Sequence, residues 1–301
     1  MAFLEFIIAS LLGVSAGIIT GITPGIHINL VSLLVVSSAA YLSDIFSFAS
    51  LGVFIISMAI THTFLDTLPA IFLGAPEAET ALSVLPGHRL LLKGMGYEAV
   101  KLTIIGSLFS LITALLFFPL FIFLVPRIYE KIQVYIGYSL IVIMVYMILM
   151  EKGHDKKFWS FFVFMMSGIL GLIVLTLPNL NQPLFPLLSG LFGISMLIVS
   201  LMQKTEIPKQ SITDQIRIPK TQSFKAVGVA TLTGSLASFF PGLGPAQAAV
   251  IGSQIMGSLG TYSFLILVGG INTVNMAVSL VSLSTINKAR NGAVLAIMQI
   301  L

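Results

Sequence analysis

The chain has 301 residues, of which 57% are hydrophobic and 9% charged, and its mean hydropathy is +1.06. A water-soluble domain carries nearer ~25% charge, so the composition excludes one and places the chain in a membrane. Cysteine is absent, which removes disulfides, thiolate nucleophiles and Cys-ligated zinc or iron–sulfur centres. The formal charge of +4 is small and its basic residues fall between apolar blocks, so no nucleic-acid partner is expected.

In chain order the apolar segments are 3–23, 26–42, 46–73, 102–126, 132–150, 158–177, 184–202, 226–240, 244–259, 262–285 and 291–301. A helix needs roughly 20 residues to cross the ~30 Å hydrocarbon layer. The short alternating segments of a barrel are missing from runs such as Leu140 to Met150. The predicted fold class is therefore all-α, a polytopic helical membrane protein. Residues 1–22 lack a basic n-region and continue into Pro24-Gly25, so they read as mature structure. The last segment rises only ~16 Å and is too short to cross. The stretch 74–99, with Pro76 and Pro86-Gly87, reads as an ordered loop.

Lys and Arg concentrate in alternate connections. Arg89, Lys93 and Lys101 lie in one; Lys152, Lys156 and Lys157 in the next; Lys204, Lys209, Arg217, Lys220 and Lys225 in the third. The positive-inside rule puts these in the cytoplasm of a cell-membrane protein and the amino terminus outside. Residues 203–225, the longest hydrophilic stretch, form a cytoplasmic linker between a first repeat at 1–202 and a second at 226–301.

Self-similarity across that linker is the most informative pattern. Gly17-x3-Gly21-x2-Pro24-Gly25 recurs as Gly234-x3-Ser238-x2-Pro241-Gly242. Further on, Ile60-Thr61-His62-Thr63 parallels Ile271-Asn272-Thr273. An odd number of crossings separates the two starts, so the repeats are inverted, as in many secondary transporters. The second repeat is shorter than the first and reads as incomplete.

Proline removes an amide donor and glycine supplies conformational freedom, so Pro24-Gly25 and Pro241-Gly242 are predicted to interrupt their helices inside the membrane. Each new helix start presents free N–H groups with partial positive charge, and two such starts facing one another suit an anion. Candidate substrate-binding residues are Pro24, Gly25, His27, Asn29, Pro241, Gly242, Gly244 and Gln247, with Thr20 and Thr23 as further donors. His62 and Asp66, four apart on one helical face, are candidates for coupling to an ion, because an acid at membrane depth usually marks an ion or proton path. Arg89 and Lys93 on the inside, and Lys288 and Arg290 outside, are candidates for attracting anions. His62 and Asp66 supply two ligands only, so no metal centre is expected.

The stretches Gly-Ile-Thr-Pro-Gly-Ile-His (21–27), Gly-Ala-Pro-Glu-Ala-Glu-Thr (74–80), Leu-Pro-Gly-His-Arg (85–89) and Phe-Pro-Gly-Leu-Gly-Pro (240–245) give the chain its family resemblance. It resembles the TctA family, the large membrane subunit of tripartite tricarboxylate transporters, and most closely the compact archaeal branch. The resemblance implies a secondary permease for tricarboxylate or dicarboxylate anions, driven by a Na+ or H+ gradient, with Pro24, Gly25, Pro241 and Gly242 lining the substrate site. It also implies two protein partners, a small membrane subunit and an extracytoplasmic binding protein. Four scattered histidines and no nucleophile–base pair argue against an enzyme and against a catalytic cofactor. A second transport class suits the same features: translocation of a polyprenyl-phosphate lipid carrier, whose phosphate would use the same helix starts.

Overall fold

A computed structural model of the chain describes residues 2–74, 80–178, 198, 207–212, 218–240, 242–257 and 260–301. Pro241, and all but residue 198 of the expected segment 184–202, lie outside the described residues. All regular structure among the described residues is helical: α1 (Ala2–Ile22), α2 (Ile28–Ser37), α3 (Ala39–Leu42), α4 (Phe48–Leu65), α5 (Thr67–Phe72), α6 (Ala81–Leu91), α7 (Gly96–Ile132), α8 (Ile136–Met150), α9 (His154–Leu175), α10 (Lys220–Phe239), α11 (Pro245–Met256), α12 (Thr261–Ile286) and α13 (Gly292–Ile300). Five helical stretches among them are long and apolar enough to cross a membrane: Phe3–Ile22, Phe48–Phe72, Gly96–Met150, His154–Leu175 and Thr261–Ile286.

The chain forms two compact units, Met1–Val134 with Ile207–Leu301, and Tyr135–Glu206. These units do not follow the two sequence halves. The second holds α8 and α9, and α9 buries none of its side chains. The first holds the remaining helices and every residue singled out from the sequence as a candidate.

At the centre of the first unit is α12, buried around most of its circumference. A helix enclosed on all sides needs small side chains, because helices in lipid associate by close packing and not by expelling water. Gly269 and Gly270 meet that need. A Cβ on Gly269 would collide with the carbonyl oxygen of Thr103 in α7, and one on Gly270 with the Ser110 hydroxyl. From the other side, a Cβ on Gly106 of α7 would strike the Ile266 carbonyl, and the Ser107 hydroxyl donates to the Gly269 carbonyl at 3.0 Å. Next to this seam Ala114, Val274 and Val278 form an apolar cluster with Phe118, Phe121 and Phe239 around it.

A second seam joins α1 to α4. Gly13, Gly17 and Gly21 fall on one face of α1 and rest on the backbone of α4 at Phe54, Met58 and His62, so the two helices run parallel. α10 and α12 also run parallel: Gln222 accepts from Ser263 at 3.3 Å, and Gly234 lies against Ile271 and Val274. α4 and α12 pass in opposite directions. Asp66 faces Asn272, while Met58 and Ile55 share an apolar cluster with Met276 and with Ala293, Val294 and Ile297 of α13.

The stretch 74–99 differs from its reading as a loop, since α6 occupies 81–91 of it with Pro86 inside. Its Gly87 lies against Ile71, where a Cβ would sit 2.6 Å from Ile71 Cγ1. The Pro-Gly pair thus serves packing here and not a chain reversal. α7 starts at Gly96, six residues before the apolar run, and takes Glu98 and Lys101 into its first turns.

Gly106→Ala is expected to destabilise the purified protein by about 1–3 kcal/mol, the usual range for overpacking a tight contact. Gly168→Ala in α9, where a Cβ meets nothing within 4 Å, should be neutral or stabilising by up to ~1 kcal/mol. Parallel thermal or denaturant unfolding of the two variants in detergent checks the contrast.

Candidate functional site

The two interruptions share one backbone design, displaced by 217 residues (Gly25 to Gly242). In the first, Thr23 N donates to Ile19 O at 3.0 Å and Ile26 N to Thr23 O at 3.3 Å; in the second, Phe240 N donates to Leu236 O at 3.0 Å and Leu243 N to Phe240 O at 3.3 Å. Gly25 has φ +88° and Gly242 φ +84°. Thr23-Pro24-Gly25-Ile26 follows the type II turn pattern, with Pro second and a positive-φ Gly third. Nothing stands within 4 Å of a Cβ built on Gly25, so what selects glycine there is the backbone angle alone. α2 then starts at Ile28 and α11 at Pro245, again 217 apart.

The supporting helix of each pair shows a second constant displacement. Gly17 rests on Met58 O and Thr61, and Gly21 on His62 O. Gly234 rests on Ile271 O and Val274, and the Ser238 hydroxyl donates to Asn275 O at 3.0 Å. Packing therefore sets His62 opposite Asn275, 213 residues on. The sequence comparison had placed it two residues away, on residue-type similarity around Asn272.

The helix starts differ in how they are capped. His27, with extended backbone, precedes α2 and its Nδ1 accepts from Asn29 N at 3.0 Å. Gly244 precedes α11, and the Gln247 side chain folds back to accept from Gly244 N at 3.1 Å. Pro245 has no N–H to satisfy, the usual reason for proline at a first helical position.

A polar chain leads from the first bend into the protein. The His27 and His62 rings are 5.6 Å apart between centroids and tilted by 56°. His62 is 2% exposed; its Nδ1 is 3.0 Å from the Thr20 hydroxyl and its Nε2 4.0 Å from Asp66 Oδ2. Asp66 lies at the junction of α4 and α5, also 2% exposed. Pro69, lacking an N–H, helps to break the helix there. Asn272 Nδ2, from the middle of α12, donates to Asp66 Oδ2 at 2.6 Å. An unpaired carboxylate at this depth would carry a large desolvation penalty.

One short segment bridges the two bends. Asn29 Oδ1, one residue into α2, accepts from Ala293 N at 3.0 Å, and Arg290 donates to Phe239 O, the last carbonyl of α10, at 2.8 Å. Three residues of chain span at most ~11 Å, so the first bend and the end of α10 are tied to one place. Arg290 also lies over the Tyr129 ring at 5.7 Å, and its Nε is buried with no hydrogen-bond partner. Its guanidinium neutralises a helix C-terminus. The other three cations lie differently, with Arg89, Lys93 and Lys288 all exposed.

The structure therefore brings His27, His62, Asp66 and Thr20 together, and joins Asn29 to Ala293 on the segment that carries Arg290. Gly242, Gly244 and Gln247 form the second helix start, while Pro241 is outside the described residues. Asn272 as the partner of Asp66 was not assigned from the sequence; the signal available was a pair of amides, Asn272 and Asn275, in an apolar 26-residue helix. Because the chain has no native cysteine, a double variant Asn29→Cys with Gly292→Cys reports the bridge directly. A Cβ on Gly292 lies 2.9 Å from Asn29 Cβ, slightly inside the ~3.8 Å of a disulfide. Mild oxidation should link the pair in most molecules, read as a mobility shift after cleavage between them; a pair that stays reduced would contradict the contact.

The Methanocaldococcus jannaschii protein named Uncharacterized protein MJ1079 is 33% identical over 294 residues, covering 95% of this chain and 71% of the relative. No solved structure matches the chain. Residues 7–301 match the family described as Tripartite tricarboxylate transporter TctA family, and with nearly its whole length inside that match the chain belongs to the TctA family.

Proposed function

We propose that the chain is a secondary permease for tricarboxylate or dicarboxylate anions, driven by an ion gradient across the cell membrane. The observation that carries the reading is the pair of bends with matching backbone, tied together through residues 290–293. Each bend ends in a helix start whose amides suit a carboxylate. The antiparallel passage of α4 and α12 supports inverted repeats, each contributing one bend. In this reading Pro24, Gly25, His27, Asn29, Gly242, Gly244 and Gln247, with Pro241, surround the substrate. His62 and Asp66 couple it to Na+ or H+.

The amino terminus lies outside, as the distribution of Lys and Arg implies. The tripartite family name supports two partners, a small membrane subunit and an extracytoplasmic binding protein. Arg89, Lys93 and Lys288, exposed at helix ends, raise the local anion concentration, and Arg290 holds the second bend in place.

A second reading, transport of a polyprenyl-phosphate lipid, is favoured by one feature. Thr23, Pro24, Gly25 and Ile26 are all exposed, and a lipid headgroup needs such an open flank.

The test is uptake by proteoliposomes of labelled citrate and dicarboxylates, with sodium and proton gradients imposed separately, and with partner subunits present and absent. Gradient-dependent carboxylate uptake is the expected result. Gly25→Val should insert normally, judged by membrane yield, and lose at least tenfold in uptake, because a β-branched residue at φ +88° strains the bend by about 1–3 kcal/mol. No carboxylate uptake under any gradient, together with movement of a polyprenyl-phosphate probe between leaflets, would replace the first reading by the second.

A further inference from the structure

We infer that His27 is a proton-operated cap on α2, and that one proton therefore travels with the anion. The inference rests on the carboxylate reading of the site and names its coupling ion. A backbone N–H can only donate, so the bond from Asn29 N fixes Nδ1 of His27 as an acceptor. Neutral His27 therefore carries its hydrogen on Nε2. A second proton has to go to Nδ1, and imidazolium donates from both nitrogens and accepts at neither. Protonation and capping are mutually exclusive at this atom. When the proton arrives, the Asn29 amide loses its acceptor and a positive charge appears at the same helix start. Both changes favour an anion there.

The surroundings give this proton an alternative place. From α4 the His27 ring faces His62, whose Nε2 is 4.0 Å from Asp66 Oδ2. Two imidazolium rings at that separation repel one another, so the pair favours one added proton over two. With the proton on His62, beside the Asp66 carboxylate, His27 caps α2; with the proton on His27, the cap is open. Asn272 keeps Asp66 in position on the far side.

Among the described residues the other ionisable groups of the packed elements are few, and Tyr41 of α3 is exposed. α1 carries Glu5 only, near its opposite end, and α12 carries Tyr262 only, in its first turn. α13 has none. Before α13, Lys288 is exposed and Arg290 is engaged with Phe239 O. The second helix start has no such switch, because Gln247, its capping side chain, does not titrate.

The experiment uses the full chain in lipid nanodiscs with nitrogen-15-labelled histidine and backbone amides. Resonances of His27 and His62 are identified with His27→Asn and His62→Gln. The pH is varied from about 8 to 5, the range in which histidines in general exchange protons, and a proton taken up by His27 should appear at Nδ1. The Asn29 amide should shift with the same midpoint. Binding of fumarate, which stays ionised over most of this range, should tighten by up to tenfold per pH unit through the transition, the limit for one linked proton. His27→Asn supplies a capping oxygen that takes no proton, and should flatten that dependence to less than about twofold. An Asn29 amide indifferent to His27 protonation, or a His27→Asn variant with the wild-type slope, would overturn the inference. Absence of fumarate binding at every pH, with the His27–Asn29 coupling present, would overturn the carboxylate reading and leave the cap's proton switch standing.

Discussion

A peptide group that leaves its helix inside hydrocarbon has no water to turn to, and each one left alone costs several kcal/mol. The first unit contains two interruptions of apolar helices whose freed peptide groups find partners within the chain. At each bend one turn bond closes the loop, from Ile26 to Thr23 and from Leu243 to Phe240, and a positive-φ glycine makes that closure possible. What remains is the new helix start, and there the two differ. The second start is satisfied by Gln247 and by the missing N–H of Pro245. The first relies on an imidazole and on the contact of Asn29 with α13. The same constraint has been met twice, once with side chains that are chemically fixed and once with one that can change its protonation.

Close approach of helices is what lets these local solutions face each other. Gly13, Gly17 and Gly21 bring α1 onto α4, and Gly106, Gly269 and Gly270 bring α7 onto α12. Without those contacts Asp66 would not reach Asn272, since an amide side chain spans only a few ångströms. The polar pair sits where α4 and α12 pass in opposite directions, and it holds the polar chain from His27 at a defined depth. Arg290, placed over the Tyr129 ring, holds the end of α10 in a comparable way by donating to the Phe239 carbonyl.

Much of this frame was legible in the sequence, and the parts that were not share a cause. The Pro-Gly pairs and their small-residue spacing announce the bends because backbone geometry restricts the residue types allowed. α6 was hidden because Pro86-Gly87 carries the same local signal, although its Gly87 is selected by the nearness of Ile71. The register of the supporting helices differs by two residues, since residue-type similarity pairs His62 with Thr273 and packing pairs it with Asn275. Four more residues separate Gly25 from His62 than Gly242 from Asn275, a difference that local similarity does not register. Arg290 reads as a free cation until tertiary structure supplies Phe239 and Tyr129.

The doubled frame carries its ionisable chemistry on one side. At the place of Thr20 α10 has Ala237, and at the place of His62 α12 has Asn275. No residue of α12 answers to Asp66 with a charge, Asn272 being an uncharged donor to it. In the proposed permease the shared bend geometry would serve the anion and the α1–α4 side its coupling ion, so removal of the titratable groups His27, His62 and Asp66 is the change expected to separate binding from coupling.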